Sequence, residues 1–180
     1  MWQWAMEFSR TRKARRAAVA TISPIVEGSR HRLGGISDVV WSDPYIIGFI
    51  VMLISIVAKL ESDRMSENAL CTVQRRAWEE ITEMTSEMMT EELLLLSTER
   101  DQEFELGCHN AAAFSTILFG AGTLQEGAGL AGAERWNGTI DGEPISSFIE
   151  REDVDAAWVQ YFDAHIAHIT SFAQDVACAK

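Results

Sequence analysis

Cysteine is scarce in this sequence, and its three copies follow no pairing pattern. Cys71, Cys108 and Cys178 are an odd number at wide spacings, and no Cys-x-x-Cys pair occurs. Their spacing argues against a disulfide framework and excludes a Cys-x-x-Cys-His haem attachment site. Because no secretory signal pattern opens the chain, we expect free thiols in a reducing compartment, and we expect the protein in the cytoplasm.

Three other patterns are also missing. No Glu-x-x-His occurs, so a ferritin-like carboxylate metal site lacks its defining motif. The glycine-rich stretch 120–132 has no Gly-Lys-Ser/Thr ending and follows no strand pattern, so it predicts a flexible connector and not a phosphate-binding loop. No segment shows the sustained alternation of a strand. We therefore expect neither a cofactor nor a sheet, and catalysis is less well supported than binding.

The composition requires a folded chain. An apolar fraction of 47% with six tryptophans excludes intrinsic disorder of the whole chain, and 180 residues suffice for one domain with its own core. Every long segment follows the helical period of 3.6. We predict an all-α fold, a single-domain bundle of five to seven helices. Its expected parts are a basic amphipathic helical arm (1–33), core helices (34–120), a glycine-rich connector (121–146) and a C-terminal helix (147–180).

One segment is apolar on every side, from Pro44 to about Leu60. Asp43 can cap its first amides, and proline at the first helical position gives up no needed donor. A helix that is apolar all round lies in the middle of a bundle or in a membrane. We predict that residues 44–60 form the buried central helix, and that Gly48 and Ser55 mark a seam where another helix approaches closely.

A membrane span is the alternative for the same residues. The sixteen residues from Tyr45 to Leu60 would rise about 24 Å, which is short of the roughly 30 Å hydrocarbon core. The basic segment before them nevertheless satisfies the positive-inside rule. This alternative gives a single-pass protein that carries an acidic soluble domain, membrane-associated through residues 44–60.

Charge is distributed unevenly along the chain. Residues 1–33 hold seven Lys/Arg against two acids, whereas the remainder holds eight against twenty-five. The first segment projects as an amphipathic helix, which Ser23-Pro24 should kink or restart and which Gly28 and Gly34-Gly35 should end. We expect this basic helix to lie against the acidic body of its own chain or of a sister subunit, and not to bind nucleic acid. Its candidate interaction residues are Trp4, Phe8, Arg12, Lys13 and Arg16.

The middle of the chain is acidic, with ten acids between Glu79 and Glu105. An amphipathic helix is predicted from about Leu70 to Met88, with a break near Thr85. The following helix carries leucine on every side at residues 93–96, and we predict that it continues to a stop at Gly107. Ser147 and Glu150 form a capping box that starts the last helix.

A candidate pocket follows if that last helix packs beside Cys108. The helix places His165 on its apolar face and His168 at the edge of that face. A polar group in apolar surroundings between helices can bind a ligand, and a histidine can activate a thiol or ligate a metal. A lone core histidine more often only bonds a neighbour. The candidate pocket residues are Cys108, His109, Trp158, Tyr161, His165 and His168.

Three functions therefore remain open from the sequence. The first, which we favour, is a helical interaction or scaffold protein that forms a homo-oligomer, with a dimer as its simplest form, or binds another protein. The second is a ligand-binding or catalytic helical domain with its pocket near Cys108, His109 and His165. The third is the membrane-anchored protein.

Overall fold

The structure is a computed structural model that describes residues 2–120 and 151–178, without the side chains of residues 2–6, 86–90, 151 and 172–178. The described part has six α-helices and no strand, which confirms the all-α prediction of five to seven helices. The helices are α1 (Trp2–Leu33), α2 (Pro44–Glu61), α3 (Glu67–Thr82), α4 (Ser86–Glu99), α5 (Gln102–Phe119) and α6, whose consecutive segments are Arg151–Trp158, the π-helical Val159–Asp163 and Ala164–Cys178.

Helix α2 is the centre of the bundle, as its composition predicts. The carboxylate of Asp43 accepts a hydrogen bond from the Ile46 amide at 3.2 Å, and Pro44 occupies the first turn. Ile50 and Leu53 are completely buried. Helices α1, α3 and α5 pack around α2, so the residues that surround it come from its own chain.

Two glycines allow α2 and α5 to pack backbone to backbone. A Cβ atom on Gly48 would lie 2.3 Å from the Phe104 carbonyl oxygen, and one on Gly107 would lie 2.1 Å from the Tyr45 carbonyl oxygen. Gly48 therefore occupies the close approach that the sequence predicts. Ser55 does not share this seam, because its hydroxyl accepts a hydrogen bond from Gln74 of α3.

Helix α1 packs into the bundle and is not a separate arm. Its buried stripe consists of Ala14, Ala18, Ile22 and Val26. The helix neither restarts at Pro24 nor ends at Gly28, because it runs through both; it ends at Leu33, directly before the predicted stop at Gly34-Gly35. Ala20 and Pro24 are exposed, so solvent can satisfy the Ala20 carbonyl that proline leaves without a donor.

The boundary between α4 and α5 also differs from the prediction. The helix expected to reach Gly107 stops at Glu99, since Arg100 adopts a left-handed backbone with φ of 52°. Asp101 then starts α5 by accepting a hydrogen bond from the Phe104 amide at 3.0 Å. The preceding helix α3 ends at Thr82 and α4 begins at Ser86, so the predicted break near Thr85 is confirmed although α3 does not reach Met88.

Helix α6 closes the core with aromatic side chains. Trp158 and Phe162 have ring centroids 4.5 Å apart, and Phe49 of α2 meets both of them. A 3-10 helix, Asp38–Ser42, adds Trp41 to the same aromatic group. The predicted connector 121–146 and the capping box of Ser147 and Glu150 lie outside the described residues.

Candidate functional site

An open groove lies between the first half of α1 and the first half of α3. Its volume is about 550 Å³. On each helix the lining residues recur at helical spacing, so that one face of α1 meets one face of α3. The end of the groove is held by Ser66, which caps α3 and donates a hydrogen bond to Glu7. The lining residues are Glu7, Phe8, Thr11, Arg12, Arg15, Ser66, Asn68, Ala69, Thr72 and Arg76.

The groove is cationic although the chain is acidic. Arg12, Arg15 and Arg76 line it against the single carboxylate of Glu7, on a chain whose net charge is −12. Arg15 is bound to Glu80 at 2.8 Å. Within the described residues no carboxylate forms an ion pair with Arg12 or Arg76, and both are exposed. Phe8 adds an apolar surface that is 62% exposed.

The other N-terminal interaction candidates lie in different surroundings. Lys13 forms an ion pair with Glu61 at the end of α2, and Arg16 is exposed beside the groove lining. The side chain of Trp4 is outside the described residues. The expectation that this basic helix lies against the acidic body of its own chain is thus met in part, since Lys13 and Arg15 are paired whereas Arg12 forms no ion pair with any residue that the structure describes.

Helix α4 exposes two adjacent leucines to solvent. Leu94 is 70% exposed and Leu95 is 55% exposed. Glu91 and Glu99 are exposed beside them. Leu93 and Leu96 face inward and pack against the core, so α4 is amphipathic with an acidic outer face that still contains leucine.

The predicted histidine site is a polar contact that joins α6 to the start of α2. His165 Nε2 lies 3.1 Å from Asp43 Oδ1, and the His165 ring stacks on Tyr45 with centroids 3.9 Å apart. The Tyr45 hydroxyl donates to the Tyr161 carbonyl and accepts from the Asn110 amide. These contacts join α6, α2 and α5, and each of the three side chains has a hydrogen-bond partner within the fold.

Electrostatics at this contact favour the charged carboxylate of Asp43. Burial alone would raise the Asp43 pKa, but the hydrogen bonds from His165 and from the Ile46 amide, with the charge of His165, hold that pKa below its ordinary value. Burial raises the pKa of the Tyr45 hydroxyl, although the Asn110 hydrogen bond opposes the rise. The contact therefore caps α2 with a negative charge at its positive end.

The remaining pocket candidates do not converge on His165. Cys108 points its thiol at the Gly48 carbonyl, 3.5 Å away, and burial raises its pKa to about 11 with a contribution from Glu105. His109 and His168 are exposed. Trp158 donates its indole N–H to Ser29 at 2.7 Å. Within the described residues no group of three or more His, Cys, Asp and Glu could hold a metal ion.

A buried polar cluster joins α1 to α6, and sequence reasoning missed it. Asp163, in the π-helical segment, accepts hydrogen bonds from Ser29 and, at 2.7 Å, from Arg32. The Ser29 hydroxyl also accepts from Trp158. Arg32, near the C-terminal end of α1, is thus paired with a carboxylate of its own chain. Each of these four side chains makes a hydrogen bond within the cluster, so the cluster fixes α6 on α1.

No family model, curated protein or solved structure matches this chain.

Proposed function

We propose that this protein is a helical interaction protein that uses the groove between α1 and α3 to bind an acidic amphipathic helix. The observation that carries the proposal is that the groove is positively charged on a negatively charged chain. Three arginines and an exposed phenylalanine line it, whereas the net charge of the chain is −12. Arginine and aromatic residues are the side chains most enriched where proteins bind one another. Their position in an elongated groove favours a helix as the bound element.

The groove is suited to a helix in both shape and chemistry. Phe8, Thr11, Arg12 and Arg15 stand at positions i, i+3, i+4 and i+7 of α1, so the lined length is about 10 Å, or two turns. Apolar side chains of a partner would cover Phe8, and carboxylates beside them would meet Arg12 and Arg76. Opposite charges of this kind speed the association of two proteins and fix the register of the bound helix in the groove.

In this proposal the residues around His165 have a structural role. Its polar groups have partners within the fold, and the Cys108 thiol is kept neutral by its raised pKa. A thiol acts as a nucleophile only when it is deprotonated. We therefore propose that these residues serve helix packing and not catalysis.

The membrane alternative concerns α2. By length and composition this helix alone, among the described helices, is apolar enough to cross a membrane, yet two-thirds of its apolar window is buried inside the fold. We propose that α2 is the core of the bundle and not an anchor. The exposed, unpaired thiol of Cys71 supports a reducing compartment, and the cytoplasm remains our proposal.

The proposal is tested with a fluorescent model peptide. The peptide is a designed helix with leucine at i, i+3, i+4 and i+7 and glutamate beside each leucine; its twin has lysine in place of glutamate. At a protein concentration at which the chain is monomeric by sedimentation, we expect the glutamate peptide to bind the full chain and the lysine peptide not to bind. Arg12→Glu with Arg76→Glu should abolish binding.

A matched control keeps the same change of charge outside the groove. Lys59 and Arg75 are exposed and do not line it, so Lys59→Glu with Arg75→Glu should retain binding. Equal binding of both peptides, or no binding of either, contradicts the proposed function.

A further inference from the structure

We infer that the helix that the groove binds is α4 of a second copy of this chain, so that the protein is a two-fold dimer with two reciprocal groove contacts. This inference rests on the proposed function and names its partner. Its first support is that the outer face of α4 has the chemistry that the groove requires. Exposed Leu94 and Leu95 lie between the exposed carboxylates of Glu91 and Glu99.

The spacing of the α4 side chains matches the groove. Glu91, Leu94, Leu95 and Thr98 stand at i, i+3, i+4 and i+7, which places them on one side of the helix over about 10 Å. This is the length over which Phe8 to Arg15 line the groove. Leucines of α4 would therefore reach Phe8 while the glutamates lie beside the arginines.

A chain cannot insert α4 into its own groove. Leu93 and Leu96 hold α4 against the core, and α4 starts beyond the C-terminal end of α3, whereas the groove lies along the N-terminal half of α3. The outer face of α4 also points away from the helices that carry it. A second molecule is required to bring the two surfaces together.

Two-fold symmetry makes the contact reciprocal. In such a dimer each groove receives α4 of the other copy, which closes the assembly and doubles the buried area. Doubling matters because a single helix in a groove is small compared with the roughly 1,200 Å² that stable interfaces reach. The apolar stripe of α1 from Ala14 to Val26 takes no part, since it is buried within the fold.

Charge exchange tests the dimer directly by sedimentation. The first variant has the groove reversed, Arg12→Glu with Arg76→Glu, and the second has α4 reversed, Glu91→Arg with Glu99→Arg. We expect the wild type to be a dimer whose association weakens as salt rises. Each variant alone should dimerise about 30-fold less tightly or worse, because the reversal acts on both contacts.

Mixing the two variants gives the decisive result. In the mixed dimer both contacts again join opposite charges, so the mixture should recover a dimer of the wild-type mass. Lys59→Glu with Arg75→Glu should dimerise as the wild type does, and circular dichroism should show that all variants remain helical.

The other outcomes overturn the inference. A monomeric wild type that still binds the acidic peptide would overturn α4 as the partner and leave the proposed function standing, whereas a monomer that binds no peptide would overturn both. A dimer that survives either double reversal, or a mixture that stays monomeric, would show that the copies associate through other surfaces.

Discussion

Helices α2 and α4 both carry apolar residues on every side, but only α2 is covered by its own chain. In α2, Ile50 and Leu53 are completely buried beneath three surrounding helices. In α4, Leu93 and Leu96 face the core while Leu94 and Leu95 remain more than half exposed. An apolar pattern thus predicts that a surface is buried. The tertiary structure determines whether it is buried within the same molecule or against another one.

The largest expected effect is the difference in stability loss between alanine truncations in α2 and alanine truncations in α4. Ile50→Ala or Leu53→Ala should lower the free energy of unfolding by about 2–5 kcal/mol, because each removes buried apolar area and leaves a cavity. Leu94→Ala or Leu95→Ala should change the stability of the isolated chain by only about 0.5 kcal/mol. Urea denaturation at low protein concentration measures both. Equal losses at the two sites would remove the distinction between the helices.

The close packing of α5 against α2 depends on a glycine of α5. Gly107→Ala would place a Cβ atom 2.1 Å from the Tyr45 carbonyl oxygen, and such overpacking costs about 1–3 kcal/mol or more. Gly28→Ala is the control, since its Cβ would meet the flexible end of Arg32 at 3.1 Å. We expect that control to stay within about 1 kcal/mol of wild type. A Gly107→Ala chain that melts at the wild-type temperature would contradict the close approach.

The packing of α6 against α1 depends on the buried carboxylate of Asp163. Arg32→Met would leave that carboxylate, 6% exposed in its side chain, without its cation. Because Arg32 itself is partly exposed, we expect a loss of about 2 kcal/mol, below the range for fully buried pairs. Arg32→Met combined with Asp163→Asn should recover part of the loss in thermal melting. A double variant less stable than Arg32→Met would show that the charge is not the cause.

The smallest expected effect is a pH dependence at the start of α2. The Asp43 pKa is lowered in the folded chain, so its stabilising charge is fully present above its ordinary pKa of 3.8 and is lost as the pH falls through the folded value. Asp43→Asn keeps a capping side chain and removes the titration. The stability advantage of wild type over Asp43→Asn should therefore be constant above about pH 5 and shrink as the pH falls below about 4. An advantage that does not shrink below about pH 4 would contradict the assignment.

Local signals in the sequence were sufficient for α2 but not for its neighbours. Asp43 and Pro44 predict where α2 starts, and the apolar composition of α2 predicts that this helix is buried. The break at Arg100 was missed because leucine and glutamate favour helix on both sides of it, although Asp101 before Gln102-Glu103 is a capping signal that could have located it.

Long-range polar contacts could not be read from the sequence. Ser29 and Asp163 are 134 residues apart, and neither stands in a motif that requires the other. The same limit applies to His165, whose place on an apolar face was predictable but whose partner Asp43 depended on how α6 packs. The groove, too, required the relative position of α1 and α3, which pattern analysis of either helix alone does not provide.

Hydrogen exchange at two protein concentrations tests most directly whether a second copy covers α4. We predict that the amides of residues 91–99 and of residues 7–16 exchange more slowly at high concentration, and that both segments slow together. The amides of α2 serve as the reference, because cover from the same chain does not depend on concentration. Exchange that is independent of concentration in both segments, or that slows in only one of them, would contradict the account.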